Sequence, residues 1–461
     1  MENKRNSFSS SIGFVLAAAG SAVGLGNIWR FPYLAAKDGG GLFLVVYIIL
    51  ALTFGYTLLV TEVSIGRKTK QSSLTAYGKL HKKWSWIGGF SAAVPFLILP
   101  YYCIIGGWVL KYCVTFLTGQ GLAAAEDGYF TGFITHRYEP IVYDVIFLGL
   151  TCFVIYRGVN KGIESLSRIL MPVLLLLVIA IAIFSLTLGG DAGTEGRTGW
   201  QGFLVYIVPN VSGMGFRDML VVVMDAMGQL FYSISVAMGI MVTYGSYFKD
   251  ESNLMKSVNQ IEIFDTLVAF LAGVMIIPAI YVYMGKEGMT AGPGLMFVAM
   301  PKIFAQMGVL GRVIGSVFFV MVLFAALTSS ISVLEAVVSG VMDKTGVSRQ
   351  KGTLIEGGIA LVLGIIICLG YNLLYFEAKL PNGVTAQILD VVDYVSNNVF
   401  MPIIAIGTCI LIGWVIGPKA VIDEATKNGE RFGRKVLYVV MIRFVAPLLL
   451  FVLFLGSLGI L

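Results

Sequence analysis

Runs of about twenty consecutive apolar residues most constrain this chain, because that length matches the hydrocarbon thickness of a bilayer. Residues 42–60, 169–188 and 436–461 form such runs. A buried helix of a soluble protein would be shorter and apolar along one stripe. Composition agrees. The 461 residues are 57% hydrophobic and 13% charged, against about 25% charged in a soluble domain. In lipid, every backbone amide and carbonyl needs a partner within the protein, which helices supply internally. The expected fold class is an all-α membrane protein.

Eleven spans are expected, at residues 10–35, 41–66, 87–118, 140–157, 169–188, 218–247, 259–285, 310–341, 354–373, 384–416 and 436–459. If residues 1–9 are cytoplasmic, the inner loops hold Lys4, Arg5, Arg67, Lys68, Lys70, Lys79, Lys82 and Lys83, among others. The outer loops are poorer in lysine and arginine, so the N-terminus is expected inside and the C-terminus outside. The first apolar stretch follows Lys4-Arg5 but runs on without a small-residue cleavage site, so no cleavable signal peptide is expected. The net charge of +6 is spread over short loops and gives no reason to expect nucleic acid as a partner. Cys103, Cys113, Cys152, Cys368 and Cys409 fall in apolar stretches without metal spacing, and read as small core or lipid-facing side chains.

Two spans look broken. The first carries Gly20, Gly24 and Gly26 within seven residues. The sixth has Phe231-Tyr232-Ser233-Ile234-Ser235-Val236-Ala237-Met238-Gly239 at its middle, rich in small and polar residues. A single glycine in a membrane helix usually serves packing. Interruptions at matching positions of two five-span halves instead point to a transporter site near the midplane. Unwound carbonyls suit a cation, and the N-terminal end of a half-helix suits a carboxylate. The outer loops 119–139, 189–217 and 286–309 are long. The last holds Met289-Thr290-Ala291-Gly292-Pro293-Gly294 and an amphipathic stretch to Met307. It reads as a helical lid over an outer vestibule or as an interfacial helix without a gating role.

Ionisable groups cost about 2.5–3.5 kcal/mol each inside a bilayer, yet Arg30, Glu62, Asp225, Asp265, Glu335, Asp390, Asp393 and Arg443 lie within spans or at their ends. Glu62 suits the freed amides of a broken helix, in a structural or a transport role. Thr328-Ser329-Ser330 is a hydroxyl cluster. Such hydroxyls either bond back to their own helix or, with carbonyls of a broken helix, surround a small hard cation. No enzyme is expected: the two histidines, His81 and His136, lie in loops on opposite sides, and no nucleophile elbow or phosphate loop is present.

Ala22-Val23-Gly24-Leu25-Gly26-Asn27 with Trp29-Arg30-Phe31-Pro32, then Gly39-Gly40-Gly41, resembles the signature of the neurotransmitter:sodium symporter family. Glu62 before Gly66-Arg67, Tyr101-Tyr102, the 233–239 segment, Thr328-Ser329-Ser330 and the Asp390/Asp393 pair extend the resemblance over essentially the whole chain. The eleven-span length is similar to a bacterial amino-acid transporter branch with the leucine-transporter fold. The resemblance implies one transporter domain over 1–461, with inverted repeats at 10–188 (helices 1–5) and 218–416 (helices 6–10). Helices 1 and 6 would be unwound at the midplane, and helix 11 would span 436–459.

The resemblance also implies two sodium sites. The first would use the Ala22 carbonyl, Asn27, Ser233, the substrate carboxylate and Asp265 of span seven. The second would use carbonyls of Gly20, Val23 and Ala325 with the hydroxyls of Thr328 and Ser329. The substrate would lie along Ser21 and Ala22, its carboxylate on the amides of Leu25 and Gly26 and on Tyr102. Its side chain would lie among Ile98, Tyr232, Ser233, Ser235, Met238, Ser329 and Val333. Arg30, Tyr232 and Asp393 would form the outer gate. Gly24 stands where monoamine-carrying members have Asp, so the substrate should bring its own carboxylate. Asp265 stands near an Asn of many relatives, and a fixed carboxylate there should replace chloride. Ala237 replaces a common Gly and trims the pocket, favouring a medium aliphatic side chain over a bulky aromatic one. The expectation is a sodium-coupled, chloride-independent symporter of a neutral, mainly hydrophobic L-amino acid in the cell membrane, as a monomer or homodimer. A non-transporting amino-acid sensor on the same fold is the alternative.

Overall fold

The computed structural model describes residues 7–189, 196–289 and 292–460. Lys4, Arg5, Thr290 and Ala291 of the expectations above lie outside these residues. The chain is helical from end to end of the described part, with one short hairpin, Ala378–Lys379 against Thr385–Ala386.

Nine of the described helices are long and apolar enough to cross a membrane. A tenth span is the bent pair α1 (Ser11–Ala22) and α2 (Leu25–Lys37), whose axes meet at 61°. The nine are α3 (Gly41–Thr69), α4 (Lys82–Leu117), α5 (Glu139–Tyr156), α6 (Val159–Thr187), α9 (Leu254–Met284), α11 (Val309–Thr345), α12 (Arg349–Leu369), α13 (Ile388–Val415) and α14 (Lys435–Ser457). Between them stand α7 (Phe216–Ser233) and α8 (Ile240–Ser246). The expected count of eleven rests on this second interrupted pair. By length and apolarity alone it does not qualify, because α7 carries Arg217, Asp218 and Asp225.

Several boundaries lie a few residues from expectation, and at two of them a charge pair accompanies a helix that runs on through charged residues. The fifth span, expected to start at 169, begins at Val159. There Glu164 accepts from Ser9 N at 2.7 Å and pairs with Arg168 at 2.7 Å. The ninth, expected to start at 354, begins at Arg349, whose buried guanidinium is ion-paired with Glu335 of α11. Two further charges at the spans have partners. Lys37 Nζ reaches Asp225 Oδ2 at 2.5 Å, and Arg443 Nε donates to Gly413 O at 2.9 Å. The residues at the start of span ten differ in exposure: Asp390 is exposed and accepts from Gln387 N at 3.0 Å, while Asp393 is half-buried.

The bundle is built around α1, which packs against α6, α9 and α11, while α4 runs alongside α11. Exposed apolar residues such as Val142, Phe153, Leu354 and Val362 cover the outside, as a lipid-facing surface requires. The stretch at 295–306 is helical, α10 (Leu295–Gln306). Its Phe297 stacks on Phe130 with ring centroids 5.0 Å apart and meets Trp108 edge-on. The five cysteines are free.

Candidate functional site

Both interruptions are left open by their sequence. In the first, α1 ends at Ala22 and Gly24 is extended, with φ −121° and ψ −166°. Leu25 and Gly26 then begin α2, so their amides have no carbonyl one turn earlier within that helix. In the second, the six residues 234–239 separate α7 from α8. Ser235 (φ 55°), Ala237 (φ 58°) and Gly239 (φ 74°) all take left-handed backbone. That conformation costs an L side chain about 1–2 kcal/mol, so the neighbourhood must hold it. Glu62 of α3 does part of this: its Oε1 accepts from Ala237 N at 2.6 Å. A Cβ on Gly239 would come within 2.5 Å of Ser73 Oγ and 2.7 Å of Ser91 O, so only glycine fits there.

Three buried side chains from three helices converge beside the breaks. Asp265 Oδ1 of α9 accepts from Asn27 Nδ2 of α2 at 2.9 Å and from Ser233 Oγ of α7 at 2.7 Å. Ser233 Oγ also lies 3.2 Å from Asn27 Oδ1, which in turn accepts from Gly24 N at 3.3 Å. Asp265 Oδ2 has no hydrogen-bond partner among the described residues. On the other side of α1, Ser329 Oγ donates toward Gly20 O at 3.3 Å, Ser21 O at 3.2 Å and Val23 O at 3.5 Å. Thr328 Oγ1 bonds back to Phe324 O and Ala325 O at 3.0 and 3.1 Å. Among the described residues no cluster of three or more His, Cys, Asp or Glu could hold a metal. The two oxygen groups suit a hard monovalent cation, which neutral oxygens and a single carboxylate can coordinate.

A cavity of about 30 Å³ lies between these oxygen groups. All twelve residues expected for the substrate line it: Ser21, Ala22, Leu25, Gly26, Ile98, Tyr102, Tyr232, Ser233, Ser235, Met238, Ser329 and Val333. The backbone of Gly24 is pressed against the opposite wall. A Cβ there would meet Ser329 Oγ at 2.9 Å and Tyr102 Oη at 3.3 Å. Tyr102 Oη has no partner among the described residues. The Tyr232 ring would lie 3.1 Å from a Cβ on Gly26, so Tyr232 closes over the α2 end of the cavity. A larger cavity of about 700 Å³, lined by Tyr33, Lys37, Pro209 and Tyr281 among others, holds none of the expected site residues.

Three residues in contact with the site were not anticipated. Ile240 and Ser332 line the cavity, and Gln229 Nε2 donates to the Gly26 carbonyl at 3.1 Å. Ser332 and Gln229 each stand one helical turn from an expected residue, Ser329 and Ser233, a spacing that could have flagged them. The gate residues are brought near one another without pairing. Among the described residues no ion pair joins Arg30 to Asp393. Arg30 is exposed, while Asp393 Oδ1 accepts from Asn397 Nδ2 at 2.6 Å. Arg30, Tyr232 and Asn397 instead line a common small cavity above the site.

The chain matches the family model described as the sodium:neurotransmitter symporter family over residues 5–126 and 139–460. It is 34% identical to the uncharacterised sodium-dependent transporter YhdH of Bacillus subtilis, covering 100% of this chain and 99% of that one. It is 28% identical to the sodium- and chloride-dependent taurine transporter of Rattus norvegicus, covering 90% of this chain and 72% of that one. Among solved structures it superposes on MhsT in complex with L-phenylalanine with a TM-score of 0.85 and 35% identity, covering 98% of this chain and all of that one.

Proposed function

The chain belongs to the sodium:neurotransmitter symporter family, and from that membership we propose that it imports a neutral, mainly hydrophobic L-amino acid with sodium by alternating access. Gly24 carries this reading. Its missing side chain leaves a cavity without a fixed anion, bounded by the amides of Leu25 and Gly26 and the free Tyr102 hydroxyl. That setting matches a substrate carboxylate at a helix N-terminus. The phenylalanine held by MhsT is in keeping with such a substrate.

Two sodium ions accompany it in this reading. The first uses the Ala22 carbonyl, Asn27, Ser233, Asp265 and the substrate carboxylate, so ion and substrate stabilise each other directly. The second uses carbonyls of Gly20, Val23 and Ala325 with Thr328 and Ser329. Asp265 supplies a fixed negative charge beside the first ion, so chloride is not required. Two sodium ions with a zwitterion carry two net charges, about 4.6 kcal/mol at 100 mV from about 2.3 per charge. That supports a gradient of order 10³ before any sodium gradient is added. The inverted repeats are 10–188 and 218–416, the protein lies in the cell membrane with its N-terminus cytoplasmic, and Arg30, Tyr232 and Asp393 gate the outer side.

The test is uptake of labelled leucine and phenylalanine into liposomes holding the purified protein. Accumulation driven by inward sodium, indifferent to replacing chloride by gluconate, is the expected result. Binding without sodium-driven accumulation refutes symport and leaves a sensor. Accumulation that needs chloride refutes the role of Asp265.

A further inference from the structure

One wall of the cavity is built of serines whose protons all point inward to the protein. Ser332 Oγ donates to Ser21 Oγ at 2.7 Å and lies equally close to Ser329 O. Ser21 Oγ donates to Ser235 Oγ at 3.0 Å. Ser235 Oγ donates to Ser21 O at 3.1 Å. Ser329 Oγ donates toward Gly20 O and Ser21 O. The chain ends on carbonyls, which can only accept, and this sets the direction of every hydroxyl before them. Each hydroxyl has one proton and two lone pairs. With the protons engaged, what Ser21, Ser235 and Ser332 still offer the cavity is acceptor capacity. Ser332 accepts from none of the other serines, and with the Tyr244 hydroxyl beside it one lone pair is left for the cavity. Ile98, Met238 and Val333, which also line the cavity, are apolar and offer no side-chain donor to fill these sites.

We propose that this serine wall selects neutral amino acids whose side chain carries a hydrogen-bond donor, an indole N–H or a hydroxyl, over isosteres lacking one. The selection rests on the amino-acid reading given above and refines it. A donor-bearing side chain bonds to the free lone pairs. An apolar one of equal shape takes water away from them and returns nothing. Each serine oxygen already holds one hydrogen bond, so the discrimination is that of a single neutral bond, about tenfold in affinity.

The experiment compares three matched pairs on the purified protein in sodium: threonine with valine, tyrosine with phenylalanine, and tryptophan with 3-benzothienylalanine. Apparent affinity is read from thermal stabilisation as a function of amino-acid concentration. The donor-bearing member should bind about tenfold tighter in the pair that binds best. Ser332→Ala and Ser235→Ala should each bring that ratio toward one. Equal or better binding of the apolar member in the best-binding pair overturns the selection, as does a ratio that survives both substitutions. If a variant does not fold, the wild-type ratio decides alone. Stabilisation without a donor preference removes this inference and leaves the symport reading standing. No stabilisation by any of the six removes both.

Discussion

The carboxylate of Glu62 and the amide of Ala237, 175 positions apart in the chain, meet at 2.6 Å. This bond fills a donor that the break in the second interrupted pair would otherwise leave bare. Glu62→Ala should therefore destabilise the protein by about 1–3 kcal/mol, the cost of an unsatisfied buried amide. Glu62→Gln keeps an acceptor and should lose less. Melting temperatures of the two variants in detergent give the comparison, and equal losses would assign the effect to charge instead of the hydrogen bond.

Asp265→Asn removes the charge that Asn27 and Ser233 both address. Uptake by this variant should become dependent on chloride or be abolished. Sodium-driven uptake at the wild-type rate in gluconate would show that Asp265 does not balance the ion's charge.

Thr328→Ala combined with Ser329→Ala deletes the two hydroxyls beside the Gly20 and Val23 carbonyls. Neither substitution touches the backbone of the break, so folding should survive while the sodium concentration needed for half-maximal amino-acid binding rises at least tenfold. Titration of binding against sodium at constant ionic strength measures this. An unshifted curve removes the second ion site.

Backbone strain at the second break separates two neighbours. Ala237→Gly places at φ 58° the residue that tolerates it. The relief of about 1–2 kcal/mol outweighs the entropy glycine adds to the unfolded chain, about 0.5–1 kcal/mol, so the melting temperature should hold or rise. Gly239→Ala adds strain at φ 74° and a contact at 2.5 Å with Ser73 Oγ, so it should fall clearly. The reverse order in thermal scans would contradict the backbone described above.

Asp38 sits in the turn between α2 and α3, near the Lys37–Asp225 pair. Burial, and then the Asp225 charge, pushes its carboxyl up to about 7. A carboxyl raised from about 3.9 in the unfolded chain supports the fold below that value, and the support is lost as pH rises through its folded value. Melting temperature should decline from about pH 4 to about pH 7 through this group, and Asp38→Asn should flatten that part of the profile. An unchanged slope in the variant would place the titration elsewhere.

Much of the membrane fold was legible because lipid imposes length and continuity on apolar runs, and composition alone reveals both. The breaks were legible too, since Gly20, Gly24 and Gly26 leave a helix little reason to continue. Charge pairs across the bundle were not. Arg349 and Arg168 looked like loop residues because their partners, Glu335 and Glu164, are identified only by packing. The pocket residues came from motif positions on separate helices. Gln229 and Ser332 escaped because their contacts depend on how far α7 and α11 rotate toward the break. The expected gate illustrates the reverse case: Arg30 and Asp393 were named together from the resemblance, while in the structure Asn397 is the residue bonded to Asp393.

The bond from Lys37 to Asp225 fastens α2 of the first interrupted pair to α7 of the second, and Gln229 fastens them again nearer the cut through the Gly26 carbonyl. Two rods riveted at two points and severed at the same depth behave as one lever with a single fulcrum. A torque applied to either of these helices is felt by both, and the oxygens gathered at the fulcrum move together.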